Sequence, residues 1–422
     1  MRVPKVRNVL AALLIVAIVV ATALLIAQDQ ETLKVQVPLS AEDARFPDYL
    51  ARLAGRPVTN GDSYAVLHNG DETFPAMLRA IENARQRISF ETYIFSEGEV
   101  SEKFTRALVA AARRGVRVQM VLDAIGTSDR EKASVEELRQ AGAQIGVFNP
   151  VEHTTIEELN YRTHRKILVV DGAVAYVGGI GLADHWMGHA DSRDHWRDSQ
   201  FEARGPVVDN IEAGFQKNWI ETGGVVEPII SVKTDPPQGD ARSTVVWSAA
   251  EAGFNAMKLV YLIALGGARK TIDIQSPYLI VDESTMWSLY EARKRGVRVR
   301  LLTEGDETDA KPVKFAGRAY YEELLEHGIE IHEFQPTMMH VKAMVVDGIV
   351  SIVGSANFDN RSLELNDELN VVTTGRQLAL QLSSDFETDL KRSKKIDLEQ
   401  WRSRPLHIRA REQAWSFFGE IF

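Results

Sequence analysis

Cysteine is absent from this 422-residue chain. That excludes disulfides, thiolate nucleophiles and zinc-thiolate sites, suits an oxidising compartment, and leaves stability to the cores of two ordinary domains. A basic surplus is missing as well, since 49 Lys and Arg face 59 Asp and Glu for a net charge of −10. Nucleic-acid binding draws much of its affinity from Lys and Arg on phosphates, so no nucleic-acid partner is expected. Long apolar runs are absent from the body of the chain. The single exception is Val9 to Ala27, which carries one Thr and follows Arg2, Lys5 and Arg7.

As a helix that run rises ~28 Å, close to the hydrocarbon thickness of a bilayer. An uncleaved anchor, a cleaved signal peptide and a soluble core helix compete for it. A signal-peptide core is shorter, and the Ala21-Thr22-Ala23 candidate cleavage site is followed by more apolar residues. The anchor is therefore expected, with the basic residues inside and the rest of the chain outside the cytoplasm.

What the sequence does hold is a duplication. HRKILVVDG presents His164, Lys166 and Asp171, and HVKAMVVDG presents His340, Lys342 and Asp347 at identical spacing. The copies lie roughly 175 residues apart, about one domain length. RGVRVQMVLD from Arg114 matches RGVRVRLLTE from Arg295, and ISFETYIF from Ile88 matches IDIQSPYLI from Ile272. In both copies the apolar tail closed by Asp-Gly predicts a buried strand ending in a turn. Residues two apart on a strand share a face, so each histidine and its lysine can address one bound group. The aspartates fall on the other parity and suit a strand-end role.

Helical spacing recurs in Phe74, Met77, Leu78 and Ile81, and again in Phe254, Met257, Tyr261 and Leu265. Strands alternating with helices predict an α/β fold of two similar lobes, each a mostly parallel sheet flanked by helices. The expected organisation is an anchor over 1–27, a connector over 28–59, a first lobe over 60–232, a linker over 233–243, a second lobe over 244–400 and a basic aromatic helix over 401–422. From Lys391 to Phe422, eight Lys or Arg against four Asp or Glu interleave with aromatics, a composition that suits either an anionic lipid interface or packing on the protein's own surface.

Two HxKxxxxD motifs in one chain resemble the phospholipase D superfamily. The family pattern continues into GSxN, met by Gly354, Ser355, Ala356 and Asn357. The first copy instead reads Gly178, Gly179, Ile180, Gly181, which leaves Asn357 as the only such amide. The resemblance implies that one lobe's histidine attacks phosphorus while the other protonates the departing alcohol, and that Lys166 and Lys342 hold the nonbridging oxygens. By analogy with family members His164 is the nucleophile and His340 the acid/base. Asp171 and Asp347 complete the catalytic motif, Ser355 and Asn357 join the phosphate-binding group, Glu368 is expected to orient His340, and Asp198 is expected to orient His164.

Within the superfamily, NYRTHRKILVVDG, HWRDSQFEARGP, QSPYLIVDE and NRSLELNDELNVV resemble bacterial cardiolipin synthases. That likeness implies phosphatidyl transfer between two phosphatidylglycerol molecules through a phosphohistidine, with no cofactor and no metal. With the single apolar run as anchor, placement in the bacterial inner membrane is expected to be single-pass, the site facing the periplasm or exterior, although family synthases often carry two N-terminal spans or none. One chain supplies both motifs, so a monomer with an internal pseudo-two-fold is expected. A phospholipase D using water as acceptor, or an exported phosphodiesterase or endonuclease, would employ the same residues. His185, His189 and His195 form the one candidate metal cluster, but their Gly- and Asp-rich setting argues against the long helix that would align them.

Overall fold

The computed structural model describes residues 32–127, 132–150, 161–225, 228, 237–248 and 255–417. The predicted anchor, residues 233–236 of the predicted linker, Phe254, Phe418 and Phe422 lie outside them. Among the described residues no helix is long and apolar enough to cross a membrane.

The first lobe contains β1 (Thr59–His68), β2 (Arg87–Thr92), β3 (Arg117–Asp123), β4 (Gln144–Phe148), β5 (Ile167–Val170), β6 (Val174–Gly178) and β7 (Ser199–Arg204). The second repeats the series as β8 (Ala241–Trp247), β9 (Thr271–Gln275), β11 (Arg298–Glu304), β12 (Glu330–Phe334), β13 (Ala343–Val346), β14 (Val350–Gly354) and β16 (Leu369–Thr374), with β17 (Ser393–Lys395) at its edge. A short parallel pair, β10 (Leu279–Ile280) and β15 (Phe358–Asp359), lies apart.

The expectation of two mostly parallel sheets is corrected. All the main strands join one 15-stranded sheet, in the order β17-β12-β11-β9-β13-β14-β16-β8-β1-β7-β6-β5-β2-β3-β4. Within that sheet, among the described residues, only β2-β3, β3-β4, β9-β11 and β11-β12 pair in parallel. Those are the steps where a helix intervenes, such as Glu99–Arg113 and Lys132–Gln140 between β2, β3 and β4. Where the chain turns tightly it must pair antiparallel. The Asp-Gly closures do this, folding β5 onto β6 and β13 onto β14. Neighbours β8 and β1 pair antiparallel and fuse the lobes edge to edge.

Each closure is locked by its aspartate. Asp171 and Asp347 adopt φ of 54° and 53°, a left-handed conformation that Asp tolerates better than most residues. Asp171 accepts the backbone N–H groups of Arg85, Gln86 and Arg87 at 2.8, 2.8 and 2.9 Å. Asp347 does the same for Arg269, Lys270 and Thr271 at 2.8, 2.7 and 2.9 Å. Neither lines the cavity that holds the motif histidines, so both sit apart from the catalytic grouping implied by the motif, as their opposite parity on the strand requires. Asp347→Ala should cost about 2 kcal/mol by stranding these donors. Its melting temperature should fall while turnover per folded molecule is retained.

Three cores result. One belongs to the first lobe, around Phe90, Phe104 and Trp186, and one to the second, around Ile274, Leu301 and Phe358. The third is shared, placing Val177, Phe201 and Phe215 against Val345, Val353 and Phe386. It holds the lobes face to face.

The segment from Thr32 and the helix Phe46–Leu53 pack on the second lobe, although the first follows them in sequence. Thr32 Oγ1 donates to Glu283 at 2.7 Å, and the Leu33 N–H donates to Ser284 Oγ at 2.9 Å. Gly266 and Gly267 make room, because side chains there would meet Val37 and Phe46, each at 2.5 Å. The C-terminal helix Leu406–Ser416 likewise packs on its own protein. Arg411 lies 3.9 Å over the Phe315 ring, Arg409 pairs with Glu322 at 3.2 Å, and Arg404 pairs with Glu412 at 2.7 Å.

Candidate active site

His164 and His340 line the same cavity of about 340 Å³, together with Lys166, Asn357 and residues of both lobes. Parallel backbone bridges bring them there. Thr163 pairs with Asp367, so the His164 N–H reaches the Asp367 carbonyl at 2.9 Å. Arg197 pairs with Met339, so the His340 N–H reaches the Arg197 carbonyl at 2.7 Å. Each histidine therefore enters beside the segment of the opposite lobe that precedes a carboxylate.

The carboxylates are consequently exchanged relative to expectation. His164 Nδ1 meets Glu368 Oε1 at 2.8 Å, across the lobes. His340 Nδ1 meets Asp198 Oδ2 at 2.7 Å, also across the lobes. Adjacency in sequence favours pairing within a lobe, and the bridges override it. Both carboxylates are fully buried. With Nδ1 engaged, Nε2 is the nitrogen free for chemistry in each ring.

Lys166 and Lys342 each donate Nζ to the carbonyl of their own motif histidine at 2.7 Å. An ammonium has three donors, so two remain on each, and Lys166 lines the cavity. Burial pulls Lys166 down to about 7 and Lys342 down to about 8. It also pulls His164 down to about 4 and His340 well below its ordinary value, with the neighbouring lysines adding to the effect. Glu368 is held below its usual range: burial opposes this, but His164 and Lys166 prevail. Asp198 is pushed by burial up to about 6. A phosphodiester anion placed beside the lysines would favour their charged forms against the burial that lowers them.

Ser355 is not in the cavity wall. Its hydroxyl donates to Glu368 Oε2 at 2.5 Å, so it orients the carboxylate rather than phosphate. The first lobe solves the same problem differently, through a residue the sequence reading overlooked. At the matching position Gly179 a side chain would meet Asp198 at 2.5 Å, and Trp186 Nε1 donates to Asp198 Oδ2 at 3.1 Å instead. The Trp186 ring also fills the space a residue other than glycine would take at 181. The double departure from GSxN was the available signal. Trp186→Phe should lower kcat about tenfold, because a donor that favours the charged carboxylate is lost. Asp198 would then titrate higher, so the acidic limb of the kcat profile should move up in pH.

The histidine cluster diverges. His185 lies tilted between Trp186 and Trp196 at 4.1 and 3.9 Å between centroids, while the His189 side chain is 79 % exposed beside Asp71. Among the described residues no group of three or more His, Cys, Asp or Glu is placed to hold a metal ion.

Two imidazoles in one cavity, each backed by a carboxylate from the other lobe and a lysine from its own, define a phospholipase D-type site. The chain belongs to the family described as cardiolipin synthase, PLD-like domain, whose model matches residues 77–219 and 261–390. It is 33% identical over 365 residues to a cardiolipin synthase of Geobacillus kaustophilus, covering 86% of this chain and 72% of that protein. A cardiolipin synthase 2 of Bacillus cereus is 33% identical over 359 residues, covering 84% and 70%. The fold is similar to that of phosphatidylserine synthase from Haemophilus influenzae, with a TM-score of 0.66 at 13% identity over 89% of this chain and all of that one.

Proposed function

We propose that this chain is a phosphatidyltransferase that makes cardiolipin from phosphatidylglycerol at a membrane surface. The observation that carries the reading is the meeting of His164 and His340 in one cavity. His164 Nε2 attacks phosphorus, the P–O bond to glycerol breaks, and His340 delivers the proton to the departing oxygen. The hydroxyl of a second phosphatidylglycerol then enters from the same side, gives its proton to His340, and displaces His164. Two in-line displacements retain configuration at phosphorus. Lys166 and Lys342 gather the nonbridging oxygens, and Glu368 and Asp198 fix the two tautomers.

Low histidine pKa values suit this cycle. A nucleophile must arrive neutral, and burial keeps His164 neutral at pH 7. His340 gains its proton when the anionic substrate offsets the lysines. The predicted anchor, single-pass with the site facing the periplasm or exterior, would hold the cavity at the lipid surface.

Incubation with phosphatidylglycerol vesicles tests the proposal. Cardiolipin and glycerol should appear in equal amounts, with the rate unaltered by EDTA. Phosphatidic acid as the sole lipid product would replace the synthase reading with a hydrolase.

A further inference from the structure

The cavity has two unlike walls. The first lobe provides Tyr93, Ile94 and Arg162 beside its histidine and lysine, whereas the second adds to its histidine Tyr278, Asp309 and Val313 and a polar stretch after its motif that runs from Asn357 to Asn366. That stretch is wound in an unusual way. Residues Arg361–Leu365 form a π-helical turn, with the Asn366 N–H returning to the Arg361 carbonyl at 2.9 Å. Such wide turns recur at functional sites. Asp359 Oδ1 accepts the Ser362 N–H at 2.7 Å and pins the turn's start.

Asn357, Asp359, Ser362 and Asn366 are 5, 3, 1 and 6 % exposed. Yet Asn357 Oδ1, Ser362 Oγ and Asn366 Oδ1 meet no protein partner, nor does Arg162 Nη1 on the facing wall. Buried polar atoms are nearly always paired. Four that are not belong to side chains lining one cavity, and a small rotation of these side chains would turn them to a ligand that both donates and accepts hydrogen bonds at several points. Burial pushes the Asp359 carboxyl up to about 7, so near neutral pH it can act in either sense.

We propose that Asn357, Ser362 and Asn366, with Asp359 and Arg162, form a polyol subsite that holds the glycerol moiety of the alcohol exchanged at phosphorus. This rests on the transferase reading above and extends it. The leaving and entering alcohols occupy the same side of phosphorus, because one acid/base serves both, so a single subsite serves donor headgroup and acceptor alike. Water cannot fill it as a carbon-linked triol does, and the subsite therefore favours transfer over hydrolysis.

The test uses the full chain, its Ser362→Ala and Asn366→Leu variants, and phosphatidylglycerol vesicles with added deuterated glycerol or 1-propanol. The wild type should give mainly cardiolipin and should prefer glycerol to 1-propanol. In the variants the ratio of cardiolipin to phosphatidic acid, and the preference for glycerol, should each drop by about tenfold, the scale on which lost hydroxyl contacts reduce discrimination. Deuterium entering phosphatidylglycerol would show that free glycerol uses the subsite; cardiolipin without such exchange would restrict it to lipid headgroups. Both are supporting results. Unchanged ratios in Ser362→Ala, a one-atom deletion whose folding is checked by thermal melting, would overturn the subsite alone. Phosphatidic acid as the only product of the wild type would remove the transferase reading and the subsite with it.

Discussion

His164→Ala and His340→Ala should each lower phosphatidyl transfer by on the order of 10⁴-fold or more, since groups that act as one unit fail together. The two losses should differ in kind. Without His164 no nitrogen is positioned to bond to phosphorus, so alkaline quenching with phosphorus-labelled phosphatidylglycerol should yield no labelled protein. Without His340 the nucleophile remains, but the glycerol oxygen must leave without a proton. Labelled protein should then form slowly and persist, because the second displacement also lacks its base. Labelling of His164→Ala at the wild-type rate would invert the assignment of roles. Full activity in either variant would end the shared-site mechanism.

Glu368→Gln should be nearly as damaging, at about 10² to 10⁴-fold in kcat, through loss of the correct imidazole tautomer and orientation. The exchanged pairing makes this prediction specific. Glu368 belongs to the second lobe but contacts His164 at 2.8 Å, so the defect should appear in formation of the labelled intermediate. Asp198→Asn should instead impair the steps that need His340, its partner at 2.7 Å. Presteady-state labelling separates the two. Reversal of the two phenotypes would restore pairing within each lobe. A separately folded lobe should be inert, since it holds a histidine without that histidine's carboxylate.

Much of this site was legible in the sequence because its ingredients are local. Spacing alone put each histidine beside its lysine, and the Asp-Gly closures announced the strand ends that Asp171 and Asp347 secure. Partnership between lobes was not legible. Asp198 and Glu368 could be named, but only the bridges Thr163 to Asp367 and Arg197 to Met339 determine which ring each one reaches. Strand direction was misjudged because buried apolar runs look the same in parallel and antiparallel sheets; the tight turns carried the missing information. Trp186 escaped because its partner Asp198 lies beyond a loop, while glycines at 179 and 181 marked the vacancy it fills.

The N-terminal strap sets a leash. Thr32 is tied to Glu283 and Leu33 to Ser284, and five residues of chain can extend no further than ~17 Å. A bilayer span ending at residue 27, as the sequence predicts, would thus be joined by a short tether to one corner of the second lobe. If that span lies in a bilayer, the lobe cannot drift outward or roll freely over the lipid, and the mouth of the cavity faces the surface at an angle the strap helps to dictate.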